Sequence, residues 1–209
     1  MAKKKHDPLT IAPLQAVLDE LKIPSNWDAV IIGDGSGTDW KCSCGWSAVL
    51  IDHYGNYRAP FWGCSNTGTS QLAEFMPYLW ALLWYSSGPG AARLNDKISL
   101  GVSGDKFPGV NIHIITDNKN IANQGNGLAQ RKAYSSLWKI MDGFNASGYK
   151  LEWHWIARMR LGLNRLVDTM ASKCRVTMEQ KINLPADVTL YDFNPTDEQF
   201  EQASLEETS

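Results

Sequence analysis

Long hydrophobic runs are missing from this sequence, and so is any apolar segment behind the N-terminus. No stretch approaches the roughly 20 apolar residues that a membrane-spanning helix needs. The first ten residues, MAKKKHDPLT, are basic, but the hydrophobic core of a secretory signal does not follow them. We therefore expect a cytoplasmic protein that does not associate with a membrane.

Cysteine is also scarce, and its spacing is not that of a typical zinc site. The four cysteines are Cys42, Cys44, Cys64 and Cys174. The first two form a C-x-C pair, whereas zinc knuckles typically use C-x-x-C. We expect reduced thiols, with a metal cluster as the less favoured alternative.

Charge is divided unevenly along the chain. Twenty basic and 22 acidic residues give a net charge of −2. Residues 179–209 contain eight of the acids and a single lysine, or −7, which leaves +5 for residues 1–178. A mildly basic body with an acidic tail is compatible with a nucleic-acid ligand but is weak evidence for one. Tryptophan is abundant, at nine residues, and some of these side chains are expected to stack on a ligand.

The hydrophobic pattern predicts an α/β protein. Alternating or continuous apolar runs predict strands at residues 28–33, 45–52, 56–64, 110–116 and 151–157. Apolar residues at helical spacing predict helices at residues 9–22, 70–85, 118–124, 131–145 and 163–174. Because helices alternate with the later strands, we expect a sheet with helices on its faces.

Two stretches of this pattern are less regular. Pro77 lies within the second predicted helix, where it removes a backbone hydrogen bond, so we expect a kink there or a delayed start. Residues 86–109, which run from SSGPG to KFPG, predict a long loop with at most one short strand at 97–102.

Four acidic residues occupy positions from which carboxylates can converge. Asp34 follows the first strand, Asp117 follows the fourth, Glu74 lies in the first turns of a helix, and Asp168 lies in the last helix. Each has an ordinary explanation by itself: an Asp-Gly turn, a helix cap, a favourable charge at a helix start, or a solvated helix position. A functional explanation requires them to meet, since several converging carboxylates bind a hard cation better than one.

In combination, these acids and their surroundings resemble the ribonuclease H family over residues 28–175. The family places Asp-Gly-Ser after its first strand, Gly-Trp at the start of its second, and Thr-Asp or Ser-Asp after its fourth. Its fifth strand alternates aromatics, its first core helix opens with a polar stretch before Glu, and its last helix carries Asn-x-x-x-Asp. The matching segments are Asp34-Gly35-Ser36, Gly45-Trp46, Thr116-Asp117, Trp153-His154-Trp155, Thr69-Ser70-Gln71-Leu72-Ala73-Glu74 and Asn164-Arg165-Leu166-Val167-Asp168.

The resemblance implies a fold and a division of the chain. The expected fold is α/β, a five-stranded mixed sheet with helices on both faces, extended by an N-terminal helix and an acidic C-terminal tail. Residues 1–27 would form the basic tail and helix, residues 28–175 the ribonuclease H-like domain, and residues 176–209 the acidic extension. The N-terminal helix either packs on the domain, as its short apolar stripe favours, or docks on a partner protein. The acidic tail stays solvated, covers the basic surface, or binds a basic partner.

The resemblance also implies an activity, the Mg²⁺-dependent hydrolysis of the RNA strand of RNA–DNA hybrids, with Mn²⁺ as a substitute. Two ions would be held by Asp34, Glu74, Asp117 and Asp168, because two ions can neutralise both the attacking and the leaving oxygen. Asp34 would bridge the ions, and Asp168 would complete the site of the ion that activates the nucleophile. By the same resemblance, the substrate would be contacted by Gly35, Ser36, Thr69, Ser70, Gln71 and Asn164.

Two departures from the family bear on substrate binding. A basic, Trp-rich handle follows the fourth-strand helix in bacterial members, but here QGNGLAQ leads almost directly into the next helix. Many members carry a histidine in the loop before the last helix, whereas residues 157–163 contain none. We hypothesise that Arg158 or Arg160 of this loop contacts the scissile-strand phosphates, because guanidinium groups match phosphate geometry. A solvated loop charge is the equally supported alternative.

Two other functions stay open at this stage. Resolvases and exonucleases that cut DNA use the same fold, and a fold does not by itself fix the substrate. A catalytically silent module that binds nucleic acid is the other alternative, although such a module would not need all four acids. The Asp-Gly-Ser and Asn-x-x-x-Asp motifs favour ribonuclease H, and a cleavage assay on hybrid, DNA and RNA duplexes would decide.

Overall fold

A five-stranded mixed sheet forms the centre of this computed structural model, which describes residues 14–37, 42–53, 57–99, 109–158 and 160–179. The strands are β1 (Ala29–Gly37), β2 (Cys42–Asp52), β3 (Tyr57–Gly68), β4 (Val110–Thr116) and β5 (Tyr149–Trp155). They lie in the order β3-β2-β1-β4-β5, with β1, β2 and β3 antiparallel and β1, β4 and β5 parallel. The predicted mixed sheet is therefore confirmed.

Six helices surround the sheet in the described part of the chain. They are α1 (Leu14–Glu20), α2 (Ser70–Ser86), α3 (Pro89–Ser99), α4 (Lys119–Gly125), α5 (Ser135–Ala146) and α6 (Gly162–Glu179). Helix α6 passes the predicted domain boundary at residue 175, and the rest of the acidic tail, residues 180–209, lies outside the described residues, as do residues 1–13. Among the helices described, none has the length and apolar character to cross a membrane.

Strand β1 is the core of the molecule because both of its faces are covered. Ala29 and Ile31 belong to a buried cluster with α2 and α5, while Val30 and Ile32 belong to a second cluster with α1 and α6. All four residues are fully buried, as a central strand between two helical layers requires. Helix α1 joins the second cluster, so its apolar stripe packs on the domain, the arrangement that the sequence favoured.

Helix α2 begins at Ser70, as its predicted range has it, so the delayed start, one of the two alternatives for Pro77, does not occur. The Thr69 hydroxyl caps the helix by accepting a hydrogen bond from the Leu72 backbone N–H at 3.0 Å. Pro77 lies in the buried part of the helix. The cap and the burial of a continuous apolar face outweigh the single backbone hydrogen bond that proline removes.

The prediction of a long loop over residues 86–109 is wrong, because α3 occupies residues 89–99. Pro89 is its first residue, a position where a missing N–H costs nothing. The strand predicted at 97–102 is wrong for residues 97–99, and residues 100–108 lie outside the described residues. Arg93 and Lys97, one helical turn apart, both bind the carboxylate of Asp28. Asp28 is buried and also accepts the Asn111 backbone N–H at 2.8 Å.

Replacing Asp28 with asparagine is expected to destabilise the protein by about 3 kcal/mol, the lower end of the cost of breaking a buried ion pair. The loss leaves Lys97, whose side chain is 12% exposed, without its counter-charge, whereas Arg93 can turn to solvent. Chemical denaturation at pH 7 measures this loss, and Asp96→Asn, an exposed acid on the same helix, should change stability by less than about 0.5 kcal/mol. Equal stability of the two variants would contradict the assignment.

The ion pairs of Asp28 predict how the stability of the protein changes at low pH. Burial raises the pKa of Asp28, but hydrogen bonds from Lys97 and Arg93 outweigh it and hold the pKa below its usual value. The stabilisation is therefore present above the ordinary aspartate pKa and is lost as the pH falls through the lowered value. The wild type and the Asp28→Asn variant should converge in stability only in strong acid.

The segment between α4 and α5, residues 126–134, contains no helix. The expected absence of a handle at this position therefore agrees with the structure. Helix α5 starts at Ser135 rather than at the predicted residue 131, since Tyr134 adopts a left-handed conformation with φ of 55°. Arg131 in this segment pairs with Asp142 at 2.7 Å and stacks on Trp138, which fixes the connection against α5.

Candidate active site

Three of the four predicted acids converge at one edge of the sheet. Carboxylate oxygens of Asp34, Glu74 and Asp117 all lie within 4.8 Å of one another. Ile32 of β1 pairs with Ile115 of the parallel strand β4, so the residues two positions later, Asp34 and Asp117, lie on the same face. Glu74 comes from the second turn of α2.

Gly35 allows α2 to approach β1 closely enough for this convergence. A Cβ atom on Gly35 would lie 2.2 Å from the backbone carbon of Ala73 and 2.3 Å from the backbone nitrogen of Glu74. A Cβ on Gly37 would lie 2.8 Å from the Cα of Ser70. Gly35 and Gly37 therefore make room for the helix that carries Glu74, whereas the resemblance implied a substrate contact for Gly35.

Replacing Gly35 with alanine is expected to separate β1 from α2 and to cost at least about 1–3 kcal/mol in stability. The new methyl group would meet backbone atoms, which cannot rotate away, and the shift would displace Asp34 from Glu74. Thermal unfolding and Mg²⁺ titration measure the two effects. Gly143→Ala is the matched control because Gly143 lies in α5 with no atom near the added Cβ, so alanine should be neutral or stabilising there. A Gly35→Ala protein as stable as this control would contradict the packing argument.

Burial and mutual repulsion make these carboxyl groups hold their protons. Burial, followed by the charges of Glu74, Asp117 and Asp168, raises the pKa of Asp34 to about 9. Burial and the charge of Asp117 raise the pKa of Glu74 to about 8. Burial also raises the pKa of Asp117, although Asn164 and Arg158 oppose it. Such crowding is costly in a purely structural site and is typical of a functional one.

Unsatisfied oxygen atoms accompany the three acids. Asp34 Oδ2, Glu74 Oε2 and Asn164 Oδ1 are buried and have no hydrogen-bond partner. The other Asp34 oxygen accepts the Gly35 backbone N–H at 2.7 Å, which fixes the orientation of the carboxylate. Buried acceptors without donors are expensive, and a hard divalent cation is the group that such oxygens prefer. The residues therefore fit Mg²⁺ or a similar ion.

The fourth acid, Asp168, lies beside this group and is held by an arginine. Arg158 Nη2 donates to Asp168 Oδ1 at 3.0 Å, and Arg158 Nε lies 4.0 Å from Asp117 Oδ2. The guanidinium therefore takes a bridging position between two carboxylates that were predicted to share ions. The Arg158 side chain is 69% exposed, so nothing buries it in this position.

The predicted substrate residues have different surroundings. Asn164 is fully buried, and its Nδ2 donates to Asp117 Oδ2 at 3.3 Å. The Ser36 hydroxyl accepts from Arg175 Nε at 2.9 Å. Thr69, besides capping α2, shares a short hydrogen bond with the Tyr134 hydroxyl.

The remaining candidates are two polar residues at the start of α2 and the two arginines of the loop before α6, one of which contacts α1 instead of the acidic group. Ser70 is exposed and Gln71 is half-buried, both in the first turn of α2. Arg160 Nη2 donates to Glu20 Oε2 at 2.6 Å, so its guanidinium contacts α1. Its neighbour Arg158 is the arginine of this loop that contacts the acidic group.

Two aromatic residues at the site were not predicted as site residues, although Trp155 belongs to the fifth-strand motif. Tyr78 is completely buried, and its hydroxyl donates to the Gly33 backbone carbonyl at 2.6 Å, which ties α2 to β1. Trp155 is 45% exposed, and its indole N–H donates to the Asp117 backbone carbonyl at 3.0 Å. The parallel pairing of β4 and β5 is the signal that could have placed Trp155 beside Asp117.

Sequence comparisons with protein-family models and with curated proteins give no match. Solved structures do match. LC11-RNase H1, isolated from compost by a metagenomic approach, has a TM-score of 0.57 and 17% identity, and the match covers 73% of this chain and 98% of that chain. The same protein in complex with an RNA/DNA hybrid gives 0.53 and 16%, with coverages of 72% and 99%.

A second protein shows the same likeness. The N-terminal RNase H domain of a Mycobacterium tuberculosis protein, as a fusion with maltose-binding protein, has a TM-score of 0.52 and 18% identity. The match covers 74% of this chain and 98% of that chain. These similarities extend over nearly the whole length of the matched domains. The chain therefore has a ribonuclease H-like fold.

Proposed function

We propose that this protein is a Mg²⁺-dependent endonuclease that hydrolyses the RNA strand of RNA–DNA hybrids. The observation that carries the proposal is the convergence of Asp34, Glu74 and Asp117, with buried oxygens that lack hydrogen-bond partners. The fold supports it as an analogy, because a similar structure, LC11-RNase H1, is described in complex with an RNA/DNA hybrid.

The proposed ligands are Asp34, Glu74, Asp117 and Asp168, for two Mg²⁺ ions or Mn²⁺ in their place. Bound divalent ions would neutralise charge on the phosphodiester and lower the pKa of a bound water. The protein's own contribution is orientation. The Gly35 N–H fixes one oxygen of Asp34 and leaves the other free for an ion, while Asn164 holds the carboxylate of Asp117.

Arg158 has two tasks in this proposal. While it binds Asp168, its positive charge offsets the repulsion among the acids. The guanidinium can leave Asp168 easily because most of the side chain is in water. With Asp168 among the ligands of an ion, the guanidinium of Arg158 would be free beside the acidic group to bind a phosphate of the cleaved strand. The proposed phosphate contact is thereby assigned to Arg158 alone, since Arg160 is paired with Glu20.

Substrate binding without a handle requires another surface. Trp155 and Lys119 form one next to Asp117, with the Lys119 ammonium 5.4 Å from the centre of the indole ring. An exposed aromatic and a cation suit a base or sugar and its phosphate. The 2′-hydroxyls of an RNA strand need polar side chains to recognise them. We assign these contacts to Ser70 and Gln71, because the Thr69 hydroxyl already caps α2.

A cleavage panel tests the proposal. Matched hybrid, DNA duplex, RNA duplex and single-stranded RNA are incubated with Mg²⁺, with Mn²⁺ and with chelator, and the Asp34→Asn variant serves as the control for contaminating nuclease. We expect internal cuts in the RNA of the hybrid only, and only with metal. Cleavage of DNA would instead assign a resolvase or exonuclease activity, and hybrid binding without any cleavage would assign a silent binding module.

A further inference from the structure

A second group of metal-binding side chains lies on strands β4 and β5. His113 pairs in register with Glu152, and Ile115 pairs with His154, so the two histidines and the glutamate share one face of the sheet. Their nitrogen and oxygen ligand atoms all lie within 4.8 Å of one another. His113 lies four residues before Asp117, or roughly 13 Å along the strand, and the buried Ile115 separates the two places.

The distances suit a small tetrahedral ion. His113 Nδ1 lies 2.9 Å from His154 Nε2 and 3.5 Å from Glu152 Oε2. Zinc–ligand bonds of about 2.0–2.1 Å in a tetrahedron place ligand atoms roughly 3.3 Å apart. The two separations from His113 Nδ1 lie on either side of that value, and the third, between Glu152 and His154, is at most 4.8 Å.

The ring of His113 is buried and faces its partners through one nitrogen. That ring is 1% exposed, and its Nδ1 faces His154 and Glu152, so a metal bound there would leave the ring proton on Nε2. Burial lowers the pKa of His113, and burial together with His113 lowers the pKa of His154 to about 4. Both imidazoles are therefore neutral at pH 7, the form in which histidine binds metals.

We propose that His113, Glu152 and His154 form a separate metal site, which takes a nitrogen-preferring dication such as Zn²⁺. Two imidazoles and one carboxylate select zinc-like ions over Mg²⁺, whereas the all-oxygen group around Asp34 selects Mg²⁺ over zinc-like ions. Glu152 is exposed, so the ion can enter from solvent and keep a water as its fourth ligand. Because β5 is the last strand in the sheet order, the ion would fasten this edge strand to β4. The inference does not depend on nuclease activity.

The test is a Co²⁺ and Zn²⁺ titration of the full-length protein in excess Mg²⁺, which occupies the acidic group. We expect one Co²⁺ with the strong visible absorption of a tetrahedral ion, displaced by Zn²⁺, and a Zn²⁺-dependent rise in melting temperature. Glu152→Gln and His154→Asn should each weaken Zn²⁺ binding by more than about tenfold and remove the rise. Circular dichroism checks that these partly exposed positions tolerate the changes.

Matched controls separate this site from other zinc ligands. His53→Asn removes an exposed histidine, and Asp96→Asn removes an exposed acid outside both groups; both variants should bind Co²⁺ like the wild type. Thiolate ligands would add intense near-ultraviolet absorption, which we do not expect. The proposal is overturned if no saturable binding occurs, if His154→Asn binds as tightly as the wild type, or if the bound Co²⁺ carries thiolate absorption.

Discussion

The Asp34→Asn protein is expected to lose cleavage activity by at least about a hundredfold and, without metal, to be more stable than the wild type. Activity is lost because asparagine removes the charge with which Asp34 would hold an ion between Glu74 and Asp117. Stability is gained because the wild-type side chain is 3% exposed, has an unsatisfied oxygen, and must take up a proton at pH 7 to avoid facing like charges as a carboxylate. A substitution that lowers activity but raises stability is typical of a site selected for chemistry at the expense of folding stability.

The gain in stability should be about 1–2 kcal/mol, or roughly 2–8 °C in melting temperature for a chain of this size. Differential scanning calorimetry with chelator and with Mg²⁺ measures it. Mg²⁺ should raise the melting temperature of the wild type but not of the variant, because only the former binds the ion well. Asp96→Asn, which changes an exposed acid on α3, is the matched control and should change neither quantity by much. An Asp34→Asn protein that is less stable than the wild type in chelator would refute the electrostatic account.

The sheet and the acidic group were predictable because they follow from local patterns. Apolar runs precede Asp34 and Asp117 on neighbouring parallel strands, although β1 continues to Gly37, so the prediction that Asp34 follows the first strand is wrong. Strand β4 coincides with the predicted residues 110–116. The four-residue spacing of Asn164 and Asp168 alone predicts that they lie on the same face of α6. The contact of Asn164 with Asp117 could not be predicted, because it depends on how α6 crosses the sheet.

Features that depend on long-range packing could not be read from the sequence. Gly35 looked like space for a substrate, whereas the structure fills that space with the backbone of α2. Helix α3 was missed because its glycine and proline suggested a loop, and its orientation is fixed by Asp28, more than sixty residues away in the chain. The partners of Arg158 and Arg160 differ although the residues are two positions apart.

The histidine pair illustrates the same limit. The alternating sequence LEWHW predicted strand β5, but His154 drew notice only as part of an aromatic motif. Its significance comes from His113 on a different strand, 41 residues earlier, through a register that no local pattern specifies. A one-residue slip of β5 would place His154 on the opposite face of the sheet.

Mg²⁺ binding to this protein is expected to release protons and to strengthen steeply between pH 6 and pH 9. Burial and neighbouring charges raise the pKa of Asp34 to about 9 and that of Glu74 to about 8, so both groups are largely protonated at pH 7 without metal. An ion binds the carboxylate form and must displace those protons, which costs up to about tenfold in affinity per pH unit for each proton. The affinity should level off only well above the pKa of Asp34, about 9, where no proton remains to be displaced.

The metal-free protein should respond to pH in the opposite sense. A carboxyl group whose pKa is raised on folding contributes stability below its unfolded pKa, and the contribution is lost as the pH rises through the folded value. The melting temperature in chelator should therefore fall from pH 5 to pH 9, while saturating Mg²⁺ should reduce or reverse the trend. Calorimetric titrations in buffers of different ionisation enthalpy count the released protons, and Asp34→Asn should release fewer. A dissociation constant for Mg²⁺ that stays constant from pH 6 to pH 9 would show that the acids are already ionised and that repulsion among them is not what the ion relieves.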